Sequence, residues 1–314
     1  MIAIYLHDSR NECFDRARAL VAALGRAAVV VSAHPPRLGW AAEWKLLPDS
    51  EPVTLAAWLA ANQPEAVVVD GPPEHARAVT ESGSTLAVVA TPGGGDFGER
   101  GSAYADAAMI LAPWPQGALD WPAAWAERTV YLGAVGWRAA EEAARAEAFP
   151  RSSRRGAVRQ CVALWPTHGG PGPRERRDIS VETPGWRWTY APEHDLLEPG
   201  PIWSALRHAE VVVCPPTLTN FAALARLGVP AGLVVPERPT RGTAVLAEAA
   251  ERTAPVVVAR GWRRPEEWRG LLEEARALDG TAWAGWNPDA GLAELDGLLA
   301  GDTLTGGGNV VVPA

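Results

Sequence analysis

Short apolar runs with no polar interruption alternate with helical segments, and the alternation starts afresh half-way along the chain. In the first half the strand-like runs are Ile2 to Leu6, Ala28 to Ser32, Ala66 to Val69 closed by Asp70, and Leu86 to Ala90. Between them, Phe14 to Leu24, Leu55 to Ala61 and Glu74 to Glu81 have helical character, and Met109 to Ala112 and Val130 to Leu132 add two short strands. A strand that is apolar on both faces needs cover on both faces, which predicts a parallel sheet between layers of helices.

The polar, Ala/Glu/Arg-rich stretch from Gly136 to Arg159 reads as a boundary, after which the pattern repeats. Strands are expected at Cys161 to Trp165, Trp186 to Tyr190, Val211 to Val213, Ala231 to Val235 and Val256 to Ala259. Helices are expected at Ile202 to His208, Asn220 to Leu227, Thr243 to Ala250, Pro265 to Leu278 and Gly291 to Leu299, with a mobile tail at Gly306 to Gly308. The fold class is therefore α/β, with two Rossmann-like doubly wound domains, 1–136 and 137–314. At 314 residues and 47% hydrophobic, the chain can fill a core in each.

A formal net charge of −8, with no basic stripe, argues against nucleic acid. Widely spaced Cys13, Cys161 and Cys214 form no zinc pattern, and no metal site is expected. No basic leader precedes Ile2 and no apolar run approaches the roughly 20 residues that span a bilayer, so a cytoplasmic protein is expected. A homodimer stays open.

Two doubly wound sheets bring their strand C-termini to the crevice between the domains, so the residues just after strands are the functional candidates. His7 and Asp8 follow the first strand, where either is a general base or part of a solvated helix start. Asp70 orients a substrate or caps the next helix. The loop Thr91-Pro92-Gly93-Gly94-Gly95-Asp96 is an acceptor-side lid or a plain surface loop. In the second half, Trp165-Pro166-Thr167-His168-Gly169-Gly170-Pro171-Gly172 lets backbone N–H groups approach phosphate oxygens, although it is neither a P-loop nor GxGxxG. Val211-Val212-Val213-Cys214-Pro215-Pro216-Thr217-Leu218-Thr219-Asn220 runs from a strand into a helix N-terminus, an anion cradle or an ordinary cap at Thr219 or Asn220.

The run AEVVVCPPTLTNFAALARLGVPAGLVVPERP resembles the donor-binding segment of GT-B glycosyltransferases, most of all those similar to the N-acetylglucosaminyl transferase of peptidoglycan synthesis. VALWPTHGGPG resembles their glycine turn and TVYLGAVGWR their interdomain crossover, and the closing helices of that fold pack back across both domains. The resemblance implies that Thr217, Leu218, Thr219 and Asn220 hold a diphosphate, Gly169, Gly170 and Gly172 face the cleft, and Tyr190 lies near the base. Glu237, Arg238 and Arg241 would meet the donor sugar, while Arg10, Gly93, Gly94 and Asp96 would meet the acceptor. Asp8 is the first choice of base, then His7 and Asp70.

The chain departs from that pattern at Ala223, where the family carries a ribose-binding acid, and at Arg10-Asn11-Glu12-Cys13, which has no histidine. Thr240-Arg241-Gly242-Thr243 replaces the Asp/Glu-Gln pair that meets sugar hydroxyls. A guanidinium there pairs with a carboxylate, which suggests a uronic acid donor. With ATPGGGDFGERGSAYADAAMILAPWP, the chain is similar to the cytosylglucuronate synthases of nucleoside-antibiotic pathways. The resemblance implies inverting, metal-independent transfer from a UDP-sugar co-substrate to a small acceptor, with no further cofactor. A nucleotide-sugar-binding protein without activity, and an epimerase or hydrolase of nucleotide sugars, stay open beside it.

Overall fold

A computed structural model describes residues 1–8, 11–24, 28–35, 43–93, 98–136, 141, 158–165, 171–197 and 200–299. Most of the expected boundary from Gly136 to Arg159, and the glycine tail, lie outside these residues.

The first sheet comprises β1 (Ile2–Leu6), β2 (Ala28–Ser32), β3 (Glu43–Leu46), β4 (Ala66–Asp70), β5 (Thr85–Val89), β6 (Met109–Ala112) and β7 (Thr129–Tyr131). Its order is β3-β2-β1-β4-β5-β6-β7, and all neighbours run parallel. Its helices are α1 (Asn11–Ala23), α2 (Pro52–Asn62), α3 (Pro73–Ser82), α4 (Gly98–Asp106) and the single turn α5 (Ala123–Ala126). Every residue of β1 is buried, as its unbroken apolar sequence requires. The sequence signal missed β3 and α4. β3 is a largely exposed edge strand, so it lacks the apolar run that marks its neighbours.

The second sheet, also parallel, has the order β12-β11-β10-β8-β9. Its strands are β8 (Arg159–Trp165), β9 (Trp186–Pro192), β10 (Val211–Cys214), β11 (Ala231–Val235) and β12 (Val256–Arg260). Its helices are α6 (Pro173–Glu182), α7 (Pro201–His208), α8 (Leu218–Leu227), α9 (Arg241–Thr253) and α10 (Trp268–Arg276). α6 escaped the sequence reading because Ile179 is the one residue it buries.

The last helix, α11 (Asp289–Leu299), crosses back to the first domain. Its Leu295 and Leu299 share a core with Phe14, Leu20 and Leu132. The crossing is tight: Ala134 N donates to Trp286 O at 2.8 Å. At Gly133 (φ +69°) an added Cβ would stand 2.7 Å from that same carbonyl, so a side chain is excluded on both counts.

Of the 15 tryptophans, Trp114, Trp203, Trp268, Trp283 and Trp286 are fully buried. Trp283 and Trp286 clasp Phe221 of α8 at ring separations of 5.6 and 4.9 Å. Their Nε1 groups donate to Val229 O and Thr253 Oγ1. The tryptophan excess is thus largely packing.

Candidate functional site

In each sheet the strand order reverses once, between β1 and β4 and between β10 and β8. Ligands of doubly wound sheets bind beyond the strand C-termini at such reversals. Here both reversals open on one cavity of about 530 Å³ between the domains, lined by Asp70 and Thr91 from one side and by Glu193, Thr217 and Thr243 from the other.

On the second-domain wall, two helices begin at the cavity. Thr217 caps α8, its Oγ1 accepting from Asn220 N at 3.2 Å, and Leu218 and Thr219 of the first turn line the space. The buried Asn220 ties the loop down, its Nδ2 donating to Pro215 O at 2.8 Å. Thr240 caps α9 by accepting from Thr243 N, and Gly242 and Thr243 line the same space. The first-turn N–H groups and the dipoles of both helices make this wall attractive to an anion.

On the first-domain wall stands an ion pair. Arg16 of α1 donates through Nε (3.0 Å) and Nη2 (2.5 Å) to Oδ2 of Asp70 at the end of β4. Both side chains are largely buried, 12% and 16% exposed. Burial works against the Arg16 charge, but the Asp70 carboxylate outweighs it and raises the guanidinium above its ordinary value. Asp70 does not cap the next helix: Pro72 occupies that position and no side chain caps α3.

Glu193, directly after β9, carries the most displaced carboxyl of the cavity. Burial pushes it up to about 6, the hydrogen bond from the Thr217 hydroxyl pulls the other way, and nearby Glu12 adds to the rise. Replacing Thr217 by Ala removes a cap worth about 1 kcal/mol and the hydrogen bond that holds Glu193 down. Its titration should then move above about 6, read by NMR of the side-chain carboxyl; an unmoved or lowered midpoint refutes this.

The structure thus gathers Asp70, Thr217, Leu218 and Thr219 at one cavity. His7 and Asp8 continue β1 beside Asp70, with His7 N donating to Asp70 O at 3.2 Å, but neither lines the cavity. The His7 ring packs against His75 at 4.9 Å, its Nδ1 is buried with no hydrogen-bond partner among the described residues, and burial followed by His75 lowers its pKa, keeping it neutral at pH 7. The N-cap of α8 is Thr217 rather than Thr219 or Asn220, because the helix starts two residues earlier than its apolar periodicity suggests. Gly172 caps α6. Tyr190 does not line the cavity; it is stacked on Trp188 with the Arg176 guanidinium 4.9 Å above its ring, and Trp165 lies under that same guanidinium. Glu237, Arg238 and Arg241 are exposed around the start of α9. Gly93 (φ +74°) abuts Gly242, where an added Cβ would lie 2.5 Å from the Gly242 nitrogen, so the domains touch backbone to backbone there. Arg10, Gly94, Asp96, Gly169 and Gly170 lie outside the described residues.

Arg16 and Glu193 were not singled out in the sequence. Glu193 follows a strand, so the strand-end criterion could have found it. Arg16 sits on a helix 54 residues from its partner, and nothing local marks it.

Among solved structures, CalG4, the calicheamicin glycosyltransferase, superposes with a TM-score of 0.64 at 15% identity, covering 96% of this chain and 99% of its own. Acinetobacter baumannii MurG gives 0.66 at 11% identity, over 95% and 99% of the two chains. The fold is GT-B. UDP-GlcNAc 2-epimerase from Neisseria meningitidis, bound to UDP-GlcNAc, shares the architecture (TM-score 0.60, 12% identity, 98% of this chain and 100% of that one). No protein-family model and no curated protein matches the chain. In GT-B terms, the cavity is the cleft between the two domains. Among the described residues, no helix is long and apolar enough to cross a membrane.

Proposed function

We propose that the chain is a glycosyltransferase that binds a UDP-sugar in the interdomain cavity and passes the sugar to a small-molecule acceptor. The observation that carries this reading is the convergence of the α8 and α9 N-termini on one cavity, facing the Arg16–Asp70 pair. The glycosyltransferase structures that superpose over nearly the whole chain support it. The acceptor's lone pair attacks the anomeric carbon from the face opposite the diphosphate. The bond from that carbon to the phosphate oxygen breaks with its electrons on the oxygen, and configuration inverts. The two helix ends supply positive potential for the leaving diphosphate without calling on a metal. Asp70, which lines the cavity together with Glu12 and Glu193, is the carboxylate that takes the acceptor's proton in this reading, its Oδ2 held by Arg16.

The finer reading is a cytoplasmic cytosylglucuronate synthase-like enzyme of nucleoside-antibiotic biosynthesis, moving glucuronic acid to cytosine. Arg241 or Arg238, exposed where α9 begins, would meet the sugar carboxylate. UDP-glucuronate should then bind about tenfold tighter than UDP-glucose, a preference of about 1.4 kcal/mol, and Arg241→Ala should abolish it. Equal affinities, or an unchanged preference in the variant, sink the uronate assignment. Mass spectrometry of products with and without cytosine tests the acceptor.

A second reading is a nucleotide-sugar epimerase or hydrolase. The raised Glu193 carboxyl in the cavity favours it, as a group able to carry a proton near neutral pH, as does the superposed epimerase. An altered or hydrolysed sugar formed without any acceptor decides for it. Binding with no product decides for an inert binder.

A further inference from the structure

Glu193 is out of place on a wall built for an anion. One of its oxygens accepts the hydroxyl of Thr217, the residue that caps α8, and both residues line the cavity on which α8 and α9 open. Its Oε2 makes no hydrogen bond among the described residues, and no cation is paired with it there. From α1 it is faced by Glu12 and Arg16, and Arg16 is neutralised by Asp70 of β4. Its own turn adds His194 and Asp195, and β10 adds Cys214. α8 contributes the uncharged Thr217 and Asn220, α9 opens with Arg241, and the charged residues of α7, Arg207 and His208, lie in its last turn. A diphosphate entering this cavity meets an ionised carboxylate as a like charge, and a neutral carboxyl as a hydrogen-bond donor.

Resting on the donor reading above, we propose that Glu193 binds the donor diphosphate as a neutral carboxyl, so that one proton is taken up with each sugar nucleotide bound. The proton comes from solvent, resides on Oε2, points at a non-bridging phosphate oxygen, and returns to solvent when the diphosphate leaves. Glu193 thereby becomes a specificity residue, favouring phosphate oxygen over the hydroxyls that a carboxylate would accept. Its titration near 6 in the ligand-free chain already keeps the protonated form within reach at neutral pH, and the bound anion raises it further.

The test is calorimetric titration with UDP-glucose, UDP-glucuronate and dTDP-glucose from about pH 5.5 to about pH 8.5, in buffers of differing ionisation enthalpy. The phosphates of these diesters stay ionised throughout, so any proton uptake belongs to the protein. For the tightest ligand, affinity should fall about tenfold per pH unit above about pH 6, with about one proton taken up per ligand near pH 7. Glu193→Gln, whose amide donates at every pH, should bind with a flat profile at the affinity the native chain shows at the acid end. A flat native profile, a slope that survives in Glu193→Gln, or an affinity that rises with pH overturns the proposal while leaving the donor reading intact. The proton count on the native chain stands even if the variant fails to fold. If none of the three ligands binds at any pH, the donor reading falls and this inference falls with it.

Discussion

Asp70→Asn should lower turnover by about 10²- to 10⁴-fold while leaving KM for the donor near its native value. That is the range expected when a general base is lost. The amide keeps an oxygen for Arg16 to donate to, so the wall of the cavity persists while its capacity to accept a proton disappears. Because Arg16 and Asp70 are only 12% and 16% exposed, Arg16→Ala is the harsher change, leaving a largely buried carboxylate uncompensated. Asp8→Asn and His7→Ala serve as comparators at the end of the adjacent strand, outside the cavity lining. If Asp70 is the base, each should cost less than a tenth of what Asp70→Asn costs. Steady-state kinetics with the donor found by binding decide the matter. An Asp70→Asn enzyme that retains more than about a tenth of native turnover removes the assignment, and a loss confined to Asp8→Asn transfers it.

Trp286→Ala should lower stability by about 3–5 kcal/mol, the range for deleting a fully buried aromatic. Its ring packs edge-on to Phe221 at 4.9 Å, its Nε1 donates to Thr253, and it stands where the chain leaves the second domain for the first. The variant should unfold at a lower denaturant midpoint with an unchanged slope, because the loss is of packing rather than of the area exposed on unfolding. A cost below about 1 kcal/mol would show that the neighbouring side chains collapse into the space.

The fold was legible wherever apolar continuity marked a buried parallel strand. β1, β4 and β10 are almost wholly buried, and their Val and Ile runs announce as much. It was not legible where an element buries little: β3 is an exposed edge, and α6 has a single buried residue. The strand-end criterion found Asp70 and Thr217 because topology carries the C-termini of parallel strands to one place. It could not find Arg16, whose role depends on how a helix face lies over a strand distant in sequence. Nor could it show that Tyr190, on the strand that leads to Glu193, packs on Trp188 and does not line the cavity, since that depends on which layer each side of the sheet meets.

The return of α11 to the first domain orders events during synthesis. The N-terminal sheet emerges from the ribosome first, yet the hydrophobic floor formed by Phe14, Leu20 and Leu132 stays uncovered until Leu295 and Leu299 have been made. A nascent chain stalled anywhere before α11 carries a folded-looking but open first domain, with exposed apolar surface of the kind that chaperones bind and that aggregates. The first domain is therefore closed only after the whole second sheet has been made, by a helix that follows it in the chain.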